Sequence, residues 1–169
     1  MAEVAQELAA HWKVNTEAAY LAGIVHDVAK PLTPHQLPVL HRLYEDFPPI
    51  WHSFAAPYLL RKEFQIKNAA VLSAVRWHTT GREKMARLSQ ILYVADFVEP
   101  GRSISFAPDL LKLAYRNLDG ATFGATLACL QHLLKKGQRI HSYSWRCYDY
   151  YYDQLSSKDR AQITQLVSQ

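Results

Sequence analysis

"IVHDVAKPLT", residues 24–33, closes an apolar run with a histidine and an aspartate side by side; a lysine follows three residues later, then a proline. On a helix, neighbours in sequence point about 100° apart, whereas residues three or four apart share a face. His26 and Lys30 therefore lie one turn apart, as do Asp27 and Lys30, around the tip of one helix. Such a cluster can hold a cation and an anion together, or it can be ordinary helix-end polarity. The rest of the chain has to decide.

The same anomaly recurs three times. "PPIWHSFAAPYLL" (48–60), "AVRWHTTGR" (74–82) and "ILYVADFVEPGR" (91–102) each set a histidine or an aspartate in or beside an apolar run. Asp96 falls within the apolar face made by Leu88, Ile91, Leu92 and Ala95. An ionised carboxylate is expensive to bury without a partner. Singly, each of these residues reads as a hydrogen-bonded core or boundary group. As an ordered set, His26, Asp27, His52, His78 and Asp96 read as inward-facing metal ligands, three imidazoles and two carboxylates. His11, His35, His41, His132 and His141 keep polar company and are expected to fill surface or boundary positions.

Strand signals are nearly absent, and the expected class is all-α, a single helical domain over 1–169. Helices are expected over 2–12, 16–29 (capped at Asn15 or Thr16), 51–65, 68–78, 88–98, 107–117, 119–136, 141–154 and 157–168. Thr33 and Pro34 read as an N-cap and first helical residue opening a short helix to about residue 45, and Gly137 as the stop of the long one. Residues 143–153, "YSWRCYDYYYD", fit a helix that packs Trp145, Tyr148 and Tyr152 on one face. "LLKKGQR" reads as a helix end.

The chain has 169 residues, 49% of them hydrophobic and 20% charged, which is the balance of a globular domain with a real core. A net charge of +4 favours anionic ligands weakly and does not call for nucleic acid. The start lacks a signal-peptide pattern, no apolar stretch is long enough to span a membrane, and Cys129 and Cys147 are in no zinc-ligand spacing. The expectation is a cytoplasmic protein with reduced thiols, with no membrane or nucleic-acid partner and with a homodimer possible. In "HTTGREKM" (78–85), Gly81 permits close backbone approach, while Thr79, Arg82 and Lys84 offer donors to phosphate oxygens; Arg102 in "EPGR" offers another.

Taken together, these residues resemble a known pattern. The order His-Asp, His, His, Asp on successive helices is similar to that of the HD-domain phosphohydrolases. "LAGIVHDVAKPL", "WHSFAAPYLLRKEF", "AVRWHTTGREKMARLSQILYVADFVEPGR" and "DGATFGATLACLQHLLKKGQRIH" look like one branch of them, the YqeK-like symmetrical bis(5'-nucleosyl)-tetraphosphatases. The likeness runs from about residue 4 to about residue 147. It implies an all-α HD bundle and a metal centre of two divalent ions, iron first, with manganese, cobalt or zinc as alternatives. It also implies hydrolysis of diadenosine tetraphosphate to two ADP by metal-activated water. By position, His26, Asp27, His52, His78 and Asp96 would be the metal ligands, and Lys30 would neutralise a phosphate. Asp27 and Lys30 are then the catalytic candidates, and Lys30, Thr79, Arg82, Lys84 and Arg102 the substrate-binding ones.

One departure bears on function. Members of this branch carry a further histidine shortly before a pattern matched here by Val4, Ala5, Leu8 and Ala9, which puts that position upstream of Met1. His11 lies too far along the helix to substitute. The reading favours a start set too late over a shortened member with one incomplete metal position. The alternatives are a nucleotidase or dNTP hydrolase on the same scaffold, and a catalytically weak nucleotide-binding regulatory protein.

Overall fold

The computed structural model describes residues 1–32, 47–99, 101 and 103–168, and among these it is helical with no strand. The short helix expected over 34–45, His35, His41 and Arg102 lie outside the described residues. Among the described residues nine α-helices follow one another: α1 (Ala2–His11), α2 (Thr16–Val25), α3 (Trp51–Lys62), α4 (Ala69–Trp77), α5 (Arg87–Phe97), α6 (Ala107–Arg116), α7 (Leu118–Lys135), α8 (Ser142–Asp153) and α9 (Ser157–Val167). A 3-10 turn, Pro48–Ile50, leads into α3.

The helix starts are set by side-chain caps. Asn15, Asn68, Asn117 and Ser156 each accept a hydrogen bond from a backbone N–H in the first turn of α2, α4, α7 and α9. Gly137, at φ +63°, ends α7 in the left-handed region.

The long apolar segment of α5 explains the arrangement of the rest. Every residue from Leu88 to Ala95 is buried, so this helix has no solvent face, and α1, α2, α4, α6 and α7 pack around it. Asp96 and Phe97 end it at one edge of the bundle. There α2, α3 and α4 also end or begin, and this puts their polar terminal residues in one place.

Two expectations need correction. α2 stops at Val25 rather than 29, and residues 26–31 continue as turns, with Val28 and Lys30 donating backbone bonds to Val25 and Asp27. Pro31 disfavours helical backbone only at Lys30, and the residues between close through bonds to the carbonyl three residues earlier rather than four. On α8 the buried residues are Cys147 and Tyr151, while Trp145 and Tyr152 are exposed. The Tyr148–Tyr152 face instead stacks on the rim of Phe123, with Arg160 over the Tyr152 ring. Neither cysteine is in a disulfide. Burial pushes the Cys147 thiol up to about 12, far from the range of a reactive thiolate.

Candidate metal centre

His26 is the residue at which α2 ends, and His78 the residue at which α4 ends. Each ring is turned inward by the same device. The Nδ1–H of His26 donates to the Gly23 carbonyl at 2.8 Å, and that of His78 to the Val75 carbonyl at 2.7 Å. A carbonyl only accepts, so the proton of each neutral ring sits on Nδ1 and Nε2 presents a lone pair. His52 comes from the first turn of α3 and is buried with 8% of its surface exposed; His78 has 3%.

Asp27 links them. Its Oδ1 lies 3.3 Å from His52 Nε2 and 3.5 Å from His78 Nε2. Its Oδ2 lies 3.4 Å from His26 Nε2 and 2.7 Å from Lys30 Nζ. The two oxygens of one carboxylate thus face two different groups of residues. Asp96 Oδ1 reaches the second group, 3.6 Å from His26 Nε2. Thr79 Oγ1 sits 3.0 Å from His78 Nε2 and 3.3 Å from His52 Nε2.

The donor set suits a divalent cation. His52 Nε2 and His78 Nε2 are 3.2 Å apart, with Asp27 Oδ1 near both. Ligand bonds of about 2.0–2.1 Å put adjacent donors of one coordination sphere about 3 Å apart, so this spacing is that of two ligands sharing an ion. Ligand atoms of His26, Asp27 and His78 all lie within 4.8 Å of one another. Mixed imidazole and carboxylate donors suit iron, manganese, cobalt or zinc better than magnesium.

Electrostatics favours the same assignment. Burial works against the Asp27 charge, yet hydrogen bonds from the His26, His52 and His78 imidazoles when protonated, and from Lys30, hold its carboxyl far below the usual range. Burial lowers the pKa of His78, which keeps that ring neutral and able to ligate. His26 goes the other way. Burial opposes its charge, but the bonds to Asp27 and Gly23 and the charges of Asp27 and Asp96 raise its pKa.

The cluster opens into a cleft of ≈ 1120 Å³ bounded by the described residues. Asp27, Lys30, His52, His78, Thr79 and Asp96 line it, and so do Lys135, Arg139, His132 and His141. Phe47, Tyr93, Phe97 and Phe106 lie along the walls. These wall residues were not singled out in the sequence. The basic "LLKKGQR" was the available signal, and it does end a helix, but that end faces the cleft.

The loop after His78 behaves differently from its expectation. Thr79 reaches the cluster, but Arg82 lies over the Trp77 ring and bonds to Glu83, and neither Arg82 nor Lys84 lines the cleft. Gly81, at φ +62°, does permit a close approach, but to Cys147 of α8: a Cβ there would lie 2.5 Å from the sulfur. His11 packs against Trp12 and Tyr115, away from the cleft.

The HD domain family matches residues 1–101, which contain every one of the clustered ligands. The chain is 29% identical over 151 residues to the symmetrical bis(5'-nucleosyl)-tetraphosphatase of Bacillus subtilis, a match covering 82% of this chain and 81% of that protein. It is 32% identical over 148 residues to the enzyme of the same name from Halalkalibacterium halodurans, covering 82% and 78%. In structure it is similar to an HD superfamily hydrolase involved in NAD metabolism from Clostridium acetobutylicum. There the TM-score is 0.83 at 30% identity, covering 91% of this chain and 86% of that one. No helix among the described residues is long and apolar enough to cross a membrane. With its His-Asp cluster where α2, α3, α4 and α5 end or begin, the chain belongs to the HD-domain family, as a phosphohydrolase of the YqeK-like branch.

Proposed function

We propose that this protein is a metal-dependent symmetrical bis(5'-nucleosyl)-tetraphosphatase that hydrolyses diadenosine tetraphosphate to two ADP. The observation that carries the reading is a His-Asp cluster lining a ≈ 1120 Å³ cleft, in a chain 32% identical over 148 residues to a relative of that name. Ordinary small-molecule sites run to about 300–1,000 Å³, so a cleft of this size suits a substrate with two nucleosides.

In this reading two divalent ions, iron first, are held by His26, Asp27, His52, His78 and Asp96. Asp27 offers Oδ1 on the side of His52 and His78, and Oδ2 on the side of His26, so this one carboxylate would help hold both ions. When bound, the ions supply Lewis acidity toward phosphoryl oxygens and lower the pKa of water. The Gly23 and Val75 carbonyls hold the two imidazoles in the tautomer that ligates. Lys30, exposed at the cleft and 2.7 Å from Asp27, brings a positive charge to the phosphates as they enter. The Thr79 hydroxyl stands beside His52 and His78, within reach of a phosphate oxygen at the same place. The oxygen of water bonds to one of the two central phosphorus atoms, the bridging P–O bond breaks, and each half leaves as ADP.

The test is product analysis. The protein is incubated with diadenosine tetraphosphate and iron(II), manganese, cobalt or magnesium in turn, and the nucleotides are separated chromatographically. ADP as sole product is expected. AMP with ATP would contradict the symmetrical cut, and a preference for nucleoside monophosphates or dNTPs in parallel reactions would move the protein to another hydrolase class.

A further inference from the structure

We infer that Phe106, at the start of α6, is the surface on which a nucleobase of the substrate stacks, with Phe97 packed behind it. The inference rests on the tetraphosphatase reading and adds to it a residue outside the region that the HD family matches, 1–101.

A comparison of the rings in the cleft is the first argument. Among the described residues, Phe47, Tyr93, Phe97 and Phe106 are the phenylalanines and tyrosines that line it. Tyr93 and Phe97 have 4% and 7% of their surface exposed, too little to receive a base. Phe47 is already covered: the His141 ring meets it edge-on at 4.9 Å, and the Arg139 guanidinium lies over it, 5.2 Å from its centroid. Phe106 is half-buried, and among the described residues its ring contact is Phe97, stacked at 6.1 Å with 27° between the planes. A ring backed by one neighbour and half open is the one that can take a second flat ring. Aromatic pairs favour such offset stacking.

The second argument is position. Phe97 follows Asp96 directly at the end of α5, and Asp96 Oδ1 is 3.6 Å from His26 Nε2. Phe106 is therefore linked to the cluster through one residue and one ring contact. Residues 96–97 and 103–106 line the same cleft. With the central bridge of the tetraphosphate at the cluster, each base is joined to that bridge through one further phosphate and a ribose. A base then comes to rest near the cluster but outside it, and Phe106 meets that requirement.

The backbone holds the ring in place before any ligand arrives. The Ala107 N–H donates to the Ile104 carbonyl at 3.2 Å, and the Phe106 carbonyl accepts from Asp109 and Leu110 at 3.1 and 2.9 Å. Pro108 stands in the first turn of α6, where its fixed φ suits the helix. A surface ordered in advance loses little freedom on binding. Every base has a π-face, so such a contact serves nucleotides in general. A bare polyphosphate carries similar charge and gains nothing from it. Phe106 thus makes the cleft select nucleotides over inorganic polyphosphate.

The experiment measures ADP and inorganic pyrophosphate binding to the manganese-loaded protein by calorimetry, in the wild type, Phe106→Leu and Phe106→Trp. The wild type should bind ADP about tenfold or more tighter than pyrophosphate, as base–aromatic stacking implies. Phe106→Leu should lose about tenfold in ADP affinity and stay within about twofold for pyrophosphate, whereas Phe106→Trp should keep both. In Phe106→Trp, ADP should also quench the emission that the new ring adds over the wild type, and pyrophosphate should not. That reading decides the question even where the leucine variant does not fold. A wild type that does not favour ADP, an unchanged ADP affinity in Phe106→Leu, or equal losses for both ligands overturns the inference, and so does equal quenching by ADP and pyrophosphate. A wild type that shows the preference for ADP but makes no ADP from diadenosine tetraphosphate overturns the tetraphosphatase reading alone, and the two variants still decide the stacking surface.

Discussion

Two histidines end two helices in the same manner, and the segments after them part ways. His26 and His78 each donate Nδ1–H to the carbonyl three residues earlier, and each turns Nε2 toward Asp27. After His26, the chain stays at the centre: Asp27 enters it directly and Lys30 folds back onto Asp27. After His78, only Thr79 stays; Thr80 is buried, Gly81 presses on Cys147, and Arg82 lies over Trp77. The ligands themselves are set by local geometry at a helix end. Whether the next residues join them depends on what packs behind the loop, here α8.

Four predictions test that contrast. Asp27→Asn keeps the shape of the residue that joins both halves of the cluster but removes its charge. Turnover should fall by about 1,000-fold or more, with metal content reduced in mass spectrometry of the intact protein. Activity within tenfold of wild type would remove Asp27 from the centre.

Lys30 and Arg82 make the comparison directly, since both are cations a few residues past a ligand histidine. Lys30→Met should lower kcat/KM by about 10- to 100-fold through loss of a charged contact to phosphate. Arg82→Met should change it by less than about threefold in the same steady-state assay. Equal losses would mean that the loop after His78 reaches the substrate after all.

Gly81→Ala probes the packing that turns this loop away. The left-handed φ and the approach to Cys147 should together cost about 1–3 kcal/mol, lowering Tm by several degrees. The metal content of the folded fraction should be unaffected. An unchanged Tm would show that the loop is not held by that contact.

The smallest effect separates the two imidazoles by protonation. The pKa of His26 is raised above 6.5 and that of His78 lowered below it. At pH 6.5 the metal-free protein should therefore carry a proton mainly on His26, and a bound ion must displace it. Metal affinity should weaken as pH falls, and proton release, read by calorimetry in buffers of different ionisation enthalpy, should shrink more in His26→Gln than in His78→Gln. The reverse ranking would mean that the environments of the two rings have been exchanged in this account.

These contrasts also show what the sequence made legible. Helix ends marked by Asn15, Asn68, Asn117 and Gly137 are local capping events, and each element expected among the described residues is present within a few residues. The convergence of His26, Asp27, His52, His78 and Asp96 was readable because polar ligands in apolar surroundings are costly without a purpose, and α5 leaves no solvent face for such a residue. Less was readable where tertiary packing decides. Nothing in "HTTGREKM" says that Gly81 meets a thiol from residue 147. Nothing local distinguishes Cys147 and Tyr151 as the buried pair on α8 from the aromatic face beside them. The lining of the cleft posed the same problem, because Lys135 and Arg139 look in sequence like any helix end.

The most direct test of the metal centre is a crystal of the protein loaded with iron(II), with diffraction collected on both sides of the iron absorption edge. Anomalous peaks are predicted on either side of Asp27, one shared with His52 and His78 and the other with His26 and Asp96. Strong peaks that lie elsewhere, or a loaded and active protein with none among these five residues, would contradict the account.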